Sequence, residues 1–200
     1  MAAALSKAEQ YEKTRSALLT VAHALFADRG YVGTSTHDIV ERAEVTRGAL
    51  YYHFRNKKAL FQAVFERFRQ TRTQAIMERI QEAEGDLWQR FVETGCTAII
   101  ESLSDKSAQR IIFTDGPAIL DPAVWHRNVQ GVNFITQLLG QLEAEGFIEE
   151  KTPHQALSRL LWGAFLEAGV YVSHATDFVK AQHEMLQGLK YWLEKLRIKH

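Results

Sequence analysis

Apolar residues recur every three or four positions along almost the whole chain, and no stretch alternates between apolar and polar residues. The first such stripe comprises Leu18, Val21, Ala22, Leu25 and Phe26. This spacing matches the 3.6-residue turn of an α-helix and not the two-residue repeat of a strand. We therefore predict an all-α protein. Its 200 residues, 46% of them hydrophobic, are enough to bury a substantial core.

Turn residues and helix caps divide this pattern into about nine helices. Thr36, Thr46 and Asn56 are the predicted N-caps of the second, third and fourth helices, because their side chains can accept a hydrogen bond from a free backbone amide. Gly30 is the predicted end of the first helix. The helices are predicted at about 9–29, 36–42, 47–53, 57–84, 86–103, 106–114, 123–145, 154–174 and 177–198.

Cysteine content and charge narrow the class of protein. The single cysteine excludes an internal disulfide framework and favours a reducing compartment. The chain has neither an apolar signal core near its start nor a run of about 18 apolar residues, so a soluble, cytoplasmic protein is expected. The net charge is zero, but residues 1–60 carry nine Lys or Arg against six Asp or Glu. The remaining 140 residues carry 15 against 18, so the N-terminal part is mildly basic.

The two short helices joined by residues 43–45 form a predicted helix-turn-helix. Five apolar residues are expected to pack inward on the first helix: Ile39, Val40, Val45, Leu50 and Phe54. The small residues on the outer face would allow the backbone to approach base edges, and Arg47 could bind a guanine or a phosphate. The outer face comprises Thr46, Arg47, Gly48, Ala49, Tyr51 and Tyr52, with Thr36 and Lys57 as further phosphate donors.

The run from Thr34 to Lys57, with Gly30-Tyr31 before it and Leu60-Phe61 after it, resembles the DNA-binding domain of the TetR family of bacterial regulators. The Leu-Tyr-Tyr-His-Phe segment at 50–54 and the downstream Lys57 stand at that family's spacing, and the likeness covers about residues 10–62. It implies a DNA-binding domain over 1–56 and a ligand-binding and dimerisation domain over 57–200. The implied function is that of a homodimeric transcriptional repressor, released from a palindromic operator by a small molecule. The aromatic content of the chain favours an apolar or aromatic ligand.

The resemblance also implies roles for individual residues. Ser35, Thr36 and Lys57 would bind phosphate, and His37 would lie near the groove. Thr46, Arg47, Gly48 and Ala49 would lie nearest the base edges, while Tyr51, Tyr52 and His53 would contact the backbone or base methyl groups. One position departs from the family pattern, because Glu44 stands where the turn usually has glycine. If that residue takes a positive φ, the side chain costs about 1 kcal/mol.

The later helices carry two further sets of candidate residues. The last two are apolar on more than one face, which predicts a partner surface as well as a core; the expected dimer interface comprises Trp162, Gly163, Leu166, Val170, Leu186, Leu189, Trp192 and Leu193. The middle helices combine aromatic and apolar residues with a few polar ones, as ligand pockets do. The candidate pocket residues, each of which could equally be ordinary core, are Trp88, Phe91, Cys96, Ile99, Phe113, Trp125, Phe134 and Phe165.

Catalytic and metal-binding motifs are missing from the sequence. No two histidines lie three or four residues apart, there is no Cys-x-x-Cys, and Cys96 in its apolar helix is expected to be a buried thiol rather than a nucleophile. We therefore expect no metal, no cofactor and no enzymatic activity. Two alternatives stay open at this point: a transcriptional activator of the same fold, and a helical small-molecule-binding protein or enzyme without a role on DNA.

Overall fold

A computed structural model describes residues 6–126 and 129–198 of the chain. These residues form helices joined by short turns, and their only β feature is an isolated bridge between Ile148 and Arg197. The predicted all-α fold is confirmed. None of the helices in the described ranges is both long enough and apolar enough to span a membrane.

Two helical runs contain π-helical turns, which we label π1 and π2. Residues 87–104 form one uninterrupted run with π1 in its middle, and residues 106–119 form another around π2. The elements are α1 (Lys7–Arg29), α2 (Thr36–Arg42), α3 (Arg47–His53), α4 (Lys57–Glu82), α5 (Leu87–Gln89), π1 (Arg90–Gly95), α6 (Cys96–Ser104), α7 (Lys106–Ala108), π2 (Gln109–Asp115), α8 (Gly116–Ile119), α9 (Pro122–His126), α10 (Val129–Ala144), α11 (His154–His174) and α12 (Phe178–Leu193).

The structure corrects one predicted cap and confirms two. The N-cap of α2 is Ser35 and not Thr36, which is the first helical residue. Ser35 is the cap because it forms a capping box with Asp38. The Asp38 amide donates to the Ser35 hydroxyl at 3.1 Å, and the Ser35 amide donates to the Asp38 carboxylate at 2.9 Å. Thr46 caps α3 and Asn56 caps α4, as predicted.

Several helix ends differ from the prediction; the run that begins at Lys106, for example, continues to Ile119 instead of residue 114. The first helix starts at Lys7 instead of residue 9, because Ser6 and Glu9 form a capping box. The last helix ends at Leu193 instead of residue 198, since the chain turns back and the Ile198 amide donates to the Phe147 carbonyl at 2.9 Å. The helix predicted over 123–145 contains residues 127 and 128, which lie outside the described residues; α9 and α10 flank them.

The chain divides into two compact units. The first unit contains the described residues up to Phe68 together with Arg110–Trp125, and the second contains Arg69–Gln109 and the described residues from His126 onward. The first unit thus extends past the predicted domain boundary at 56/57 and includes a distant segment. Helices α1, α2 and α3 contact one another, and the fully buried residues of the first unit include Leu18, Phe26, Ile39, Leu50, Leu60 and Phe61.

The segment 110–125 joins the first unit through the buried Asp115. The amide of Tyr31, just after α1, donates to its carboxylate at 2.7 Å. The guanidinium Nε of Arg110 lies 3.4 Å from the same carboxylate, and its Nη2 donates to the carbonyl of Arg29 at 3.3 Å. A charged acceptor therefore ties residues that are more than 80 positions apart in the sequence.

The second unit is a helical bundle in which α11 packs against α6, α10 and α12. Its fully buried aromatic residues are Phe91 and Phe165. Polar side chains connect the helices at the edges of this core: Thr136 on α10 donates to Ser158 on α11 at 2.8 Å, and the Trp88 indole donates to Glu194 at 2.8 Å. These hydrogen bonds fix the register of the helices, while the buried apolar side chains supply most of the stability.

Candidate nucleic-acid interface

Helix α3 is anchored on one face and open on the other. The Thr46 hydroxyl accepts a hydrogen bond from the Ala49 amide at 3.1 Å and so fixes the first turn. Leu50 is fully buried on the inner face. The outer face is exposed and comprises Arg47, Gly48, Tyr51 and Tyr52. A short helix held in this way can enter the major groove without rearranging the core behind it.

All eleven predicted DNA-binding residues lie in the described part of the first unit. Seven are exposed: Ser35, His37, Thr46, Arg47, Gly48, Tyr51 and Tyr52. Four are half-buried: Thr36, Ala49, His53 and Lys57. The structure thus brings the set together on α2, α3 and the start of α4, while the role of each residue on DNA stays a prediction.

Tyr51 links the two helices of the motif. A hydrogen bond with the Thr36 side chain, and next one with Arg47, lowers the pKa of Tyr51. The Arg47 guanidinium carbon lies 5.6 Å from the centre of the Tyr51 ring. The hydroxyl groups of Thr36 and Tyr51 are therefore neighbours, with Thr36 donating to the Tyr51 oxygen, which leaves the Tyr51 hydroxyl proton for a phosphate.

The turn between α2 and α3 adopts a Schellman motif with an unusual residue in it. The Val45 amide donates to the Val40 carbonyl at 3.0 Å, and the Glu44 amide donates to the Glu41 carbonyl at 3.2 Å. Glu44 takes φ 55°, the left-handed conformation that glycine adopts without strain. At the end of α10 the same hydrogen-bond pattern has Gly146 in this place, at φ 77°. The geometry of the turn is therefore standard, and Glu44 strains the backbone there.

Lys57, a predicted phosphate ligand, packs on Tyr31 within the first unit. Its ammonium lies 4.2 Å from the centre of the Tyr31 ring, a cation–π contact. Burial lowers the pKa of Lys57, whereas the charges of Asp115 and Asp38 act in the opposite direction. Its head group is thus positioned by an aromatic ring at the N-terminus of α4, where the helix dipole also favours an anion.

Tyr11 is a contributor to this surface that sequence reasoning missed. Its ring centre lies 4.3 Å from that of His53 and 5.8 Å from that of Tyr52, so it packs on the end of α3. Burial, and then the charge of Arg15, lowers the pKa of His53. The half-buried His53 therefore supports α3 from behind, which limits its reach toward a groove. No local pattern in the sequence pairs residue 11 with residues 52 and 53.

Family comparisons agree with this geometry. A family described as "Bacterial regulatory proteins, tetR family" matches residues 18–64. A second one, "Tetracyclin repressor-like, C-terminal domain", matches residues 88–196, more than half of the chain. The chain belongs to the TetR family.

Individual TetR-family relatives match over different lengths. The probable HTH-type transcriptional regulator ArpR of Pseudomonas putida is 38% identical over 79 residues, which are 40% of this chain and 37% of that protein. The HTH-type transcriptional repressor BepR of Brucella suis is 32% identical over 109 residues, 54% of this chain and 51% of that protein. The matches thus cover about half or less of these two relatives. A solved TetR-family regulator from Pectobacterium atrosepticum is 30% identical, covers 98% of this chain and 99% of its own, and superposes with a TM-score of 0.84.

The predicted pocket residues of this TetR-family protein are divided between the two units. Phe113 and Trp125 belong to the first unit and the other six to the second. Trp88, Phe91, Cys96 and Phe165 are almost completely buried, as core residues are. Burial raises the pKa of the Cys96 thiol to about 12, so it stays protonated and unreactive near neutral pH. Within residues 6–126 and 129–198, no cluster of His, Cys, Asp or Glu could hold a metal ion.

A cavity of about 460 Å³ does occur in the second unit, between the end of α4, the start of the 87–104 run and α10. Of the eight predicted pocket residues, Phe134 alone lines it. The sequence missed its other members because their spacing matches that of any amphipathic helix. They are Met77, Ile80, Gln81, Leu87, Arg90, Gln137, Leu138, Gln141, Ala144 and Glu145.

The predicted dimer residues lie on α11 and α12 but differ in exposure. Leu166, Leu189 and Leu193 are buried within the chain itself. Trp162, Val170 and Leu186 are half-buried, and Gly163 and Trp192 are exposed. The same two helices expose other large apolar residues, which the prediction left out: Leu160, Tyr171, Phe178, Val179 and Tyr191.

Proposed function

We propose that this TetR-family protein is a cytoplasmic, homodimeric transcriptional repressor that binds a palindromic DNA operator and is released from it by a small molecule. The main support for this proposal is the exposed face of α3, which presents Arg47, Gly48 and Tyr52 beside the Thr36–Tyr51 pair. Its inner residue Leu50 is fully buried, so the face is held rigidly for docking. The family match over residues 18–64 and the repressor BepR among its relatives support this proposal.

A division of labour on the DNA follows from the chemistry of these groups. Arg47 can donate two hydrogen bonds to one guanine, whereas hydroxyl groups and Lys57 donate to phosphates. Gly48 has no side chain to separate α3 from the DNA. A Cβ at this position would point into open space, with only the Thr46 hydroxyl within 4 Å, at 3.8 Å. The helix backbone can therefore approach the floor of the groove closely.

Dimerisation is proposed through the exposed faces of α11 and α12. Leu160 and Tyr191 are 64% and 68% exposed, although both are large apolar residues. Gly163 and Gly188 lie within these helices, and a Cβ built at either would meet nothing within 4 Å. Glycine inside a helix costs about 1 kcal/mol relative to alanine, which a second copy approaching the bare backbone would explain. A dimer also places two reading helices about one DNA turn apart.

Selection of bound sequences from a random duplex library tests the DNA role. We expect an inverted repeat whose half-sites are about 10 base pairs apart, bound with an affinity that falls steeply as salt rises. Recovery of random sequence at every salt concentration would contradict the proposal. Expression of a reporter from the selected site, with and without the protein, then distinguishes a repressor from an activator.

A substitution at an exposed glycine tests the dimer. Gly188→Gln adds a better helix former where the single chain has open space, so an isolated subunit would gain stability. In a dimer that uses this face, the added side chain would separate the subunits. We expect light scattering to show a dimer for the unaltered protein and a larger monomer fraction for the variant. A monomer in both cases would contradict this part of the proposal.

A further inference from the structure

The cavity in the second unit combines an apolar floor with a polar rim. Ile80, Leu87 and Leu138 are buried on its floor, and Met77 and Phe134 are half-buried beside them. The exposed rim residues are Gln81, Gln137, Gln141, Ala144 and Glu145. Its volume of about 460 Å³ lies in the range that holds small molecules. An occupant would therefore need an apolar body and a polar end.

Arg90 is the cation in this lining. Its Nε atom is buried and makes no hydrogen bond to any described residue. A guanidinium keeps its charge at every physiological pH, so it cannot avoid the cost of burial by losing a proton. Arg90 as a whole is half-buried, so the uncompensated cost falls on its covered Nε, which an anion or another acceptor in the cavity would relieve.

Three other arginines each lie against a carboxylate of the chain, and Arg90 differs from them. Arg72 binds the Asp105 carboxylate, Arg79 binds Glu101 at 2.8 Å, and Arg110 lies near Asp115. Glu145 is the carboxylate residue in the cavity lining, and it is exposed at the rim. No ion pair joins it to Arg90 among the described contacts. The guanidinium is thus left available to an anion that enters the cavity.

The backbone around Arg90 is also specialised. Arg90 is the first residue of π1, and π-helical turns are rare and often occur at ligand sites. Gly95, the last residue of π1, lets α4 come close, since a Cβ there would lie 2.9 Å from the Cδ1 of Ile80. Ile80 is a floor residue, so π1 sets both the position of the cation and the position of the apolar floor.

We propose that this cavity is the effector site and that its ligand is an amphipathic monoanion, with a carboxylate on Arg90 and a hydrocarbon or aromatic body on the floor. The assignment of an effector role rests on the proposed function, whereas the anion site stands on the geometry of Arg90 alone. The rim amides of Gln81, Gln137 and Gln141 can donate further hydrogen bonds to the same head group. The apolar body displaces water from the floor and supplies most of the affinity.

Calorimetric titration of the full-length protein with three eight-carbon probes tests the anion site. The probes are octanoate, octanol and octylammonium, which share the apolar body and differ in the head group. We expect octanoate to bind about tenfold or more tightly than the other two, because a charge-assisted hydrogen bond to the half-buried Arg90, whose Nε is covered, is stronger than a neutral one. Equal binding of octylammonium and octanoate would overturn the proposal.

Variants assign the preference to Arg90. Arg90→Met should remove the preference for octanoate while keeping the length and apolar stem of the side chain. Arg79→Met is the matched control: it removes a nearby arginine that pairs with Glu101 and does not line the cavity, and it should leave binding unchanged. Unchanged octanoate binding by a folded Arg90→Met variant would overturn the proposal.

Two rim substitutions keep the test decisive if Arg90→Met fails to fold. Ala144→Trp places a large ring at the exposed mouth and should abolish octanoate binding with Arg90 intact. Glu145→Gln removes the exposed rim carboxylate and should tighten octanoate binding by about two- to threefold. Unaltered binding in both rim variants would place the octanoate elsewhere on the protein and overturn the assignment.

Release from DNA is a separate measurement, with fluorescence anisotropy on the selected duplex. Octanoate binding that leaves the protein–DNA complex intact would overturn the effector role and leave the anion site standing. Failure to find any specific duplex would contradict the proposed function without touching the calorimetric result. Release by octanoate in the unaltered protein, lost in Arg90→Met, would support both.

Discussion

The helix-turn-helix of the first unit and the helical bundle of the second unit use their side chains differently. In α2 and α3, residues that can contact DNA lie on the outside, and the two helices are held by the caps at Ser35 and Thr46, the turn between them and the Thr36–Tyr51 hydrogen bond. In the second unit, bulky residues such as Phe91 and Phe165 are buried, and the candidate ligand site is a half-open cavity beside this core. The positions of DNA-binding side chains are set by local helix and turn geometry, whereas the shape of a binding cavity is set by the space that core packing leaves unfilled.

This contrast would fail if the buried aromatic residues of the second unit lined a ligand site instead of filling a core. Phe165→Ala should lower the free energy of unfolding by about 3–5 kcal/mol, since it opens a void among fully buried neighbours. Urea unfolding at a fixed protein concentration measures the loss. The matched variant Phe134→Ala, on the cavity wall, should cost about 1 kcal/mol or less. Equal losses would show that core and cavity are not distinct.

On the reading surface, Arg47→Ala should weaken binding to the selected operator by about 1–3 kcal/mol and change binding to scrambled DNA little. The reason is that Arg47 stands on the exposed face of α3, where a base edge is within reach. Anisotropy titrations on both duplexes measure the two affinities. An equal loss on both would mark Arg47 as a phosphate ligand. Tyr51→Phe, which removes the hydroxyl beside Thr36, should weaken both duplexes alike.

Asp115 tests how far the first unit depends on its distant segment. Asp115→Asn keeps an acceptor for the Tyr31 amide but removes the charge that faces Arg110. The free energy of unfolding should fall by about 1 kcal/mol, the difference between a charged and a neutral hydrogen bond. Thermal unfolding measures it, with Asp121→Asn as an exposed control in the same segment. No change at Asp115 would mean that residues 110–125 contribute nothing through this contact.

A substitution at Glu44 is expected to have the smallest effect on stability, and it should stabilise the protein instead of destabilising it. Glu44→Gly should raise the free energy of unfolding by up to about 1 kcal/mol, because the backbone strain at φ 55° exceeds the added entropy of a glycine in the unfolded chain. It also removes an exposed negative charge from the motif, so affinity for any duplex should rise slightly. A loss of stability would show that the Glu44 side chain makes a contact that compensates the strain.

Local rules made most of the first unit predictable from the sequence. The caps at Thr46 and Asn56, the buried Ile39 and Leu50, and the exposed Arg47 all follow from spacing within a few residues. Ser35 was missed as a cap because two hydroxyl residues stand side by side, and only the reciprocal bond with Asp38 decides between them. Tyr11 and Asp115 were missed because each contacts residues far away in the sequence.

The cavity lies beyond such rules for a related reason. Its floor residues Ile80, Leu87 and Leu138 come from three helical segments, and their spacing is that of ordinary core residues. The prediction selected Trp88 and Phe91 because they are aromatic, but both are almost completely buried in the core. The one signal in the sequence was Arg90, a cation between the apolar pairs Leu87-Trp88 and Phe91-Val92, and it is informative only because the structure shows that its buried Nε has no hydrogen-bond partner among the described residues.

The first unit is assembled from two stretches of chain that the ribosome makes at different times. Its helix-turn-helix is complete once residue 57 has been synthesised, yet Asp115, which accepts from the Tyr31 amide, follows almost 60 residues later. During synthesis, the helix-turn-helix would therefore lack its contact with Asp115 until the segment 110–125 had emerged from the ribosome. A fragment cut after α4 would lack the Asp115 carboxylate and the rest of segment 110–125, so a single cut in the chain cannot release the whole first unit.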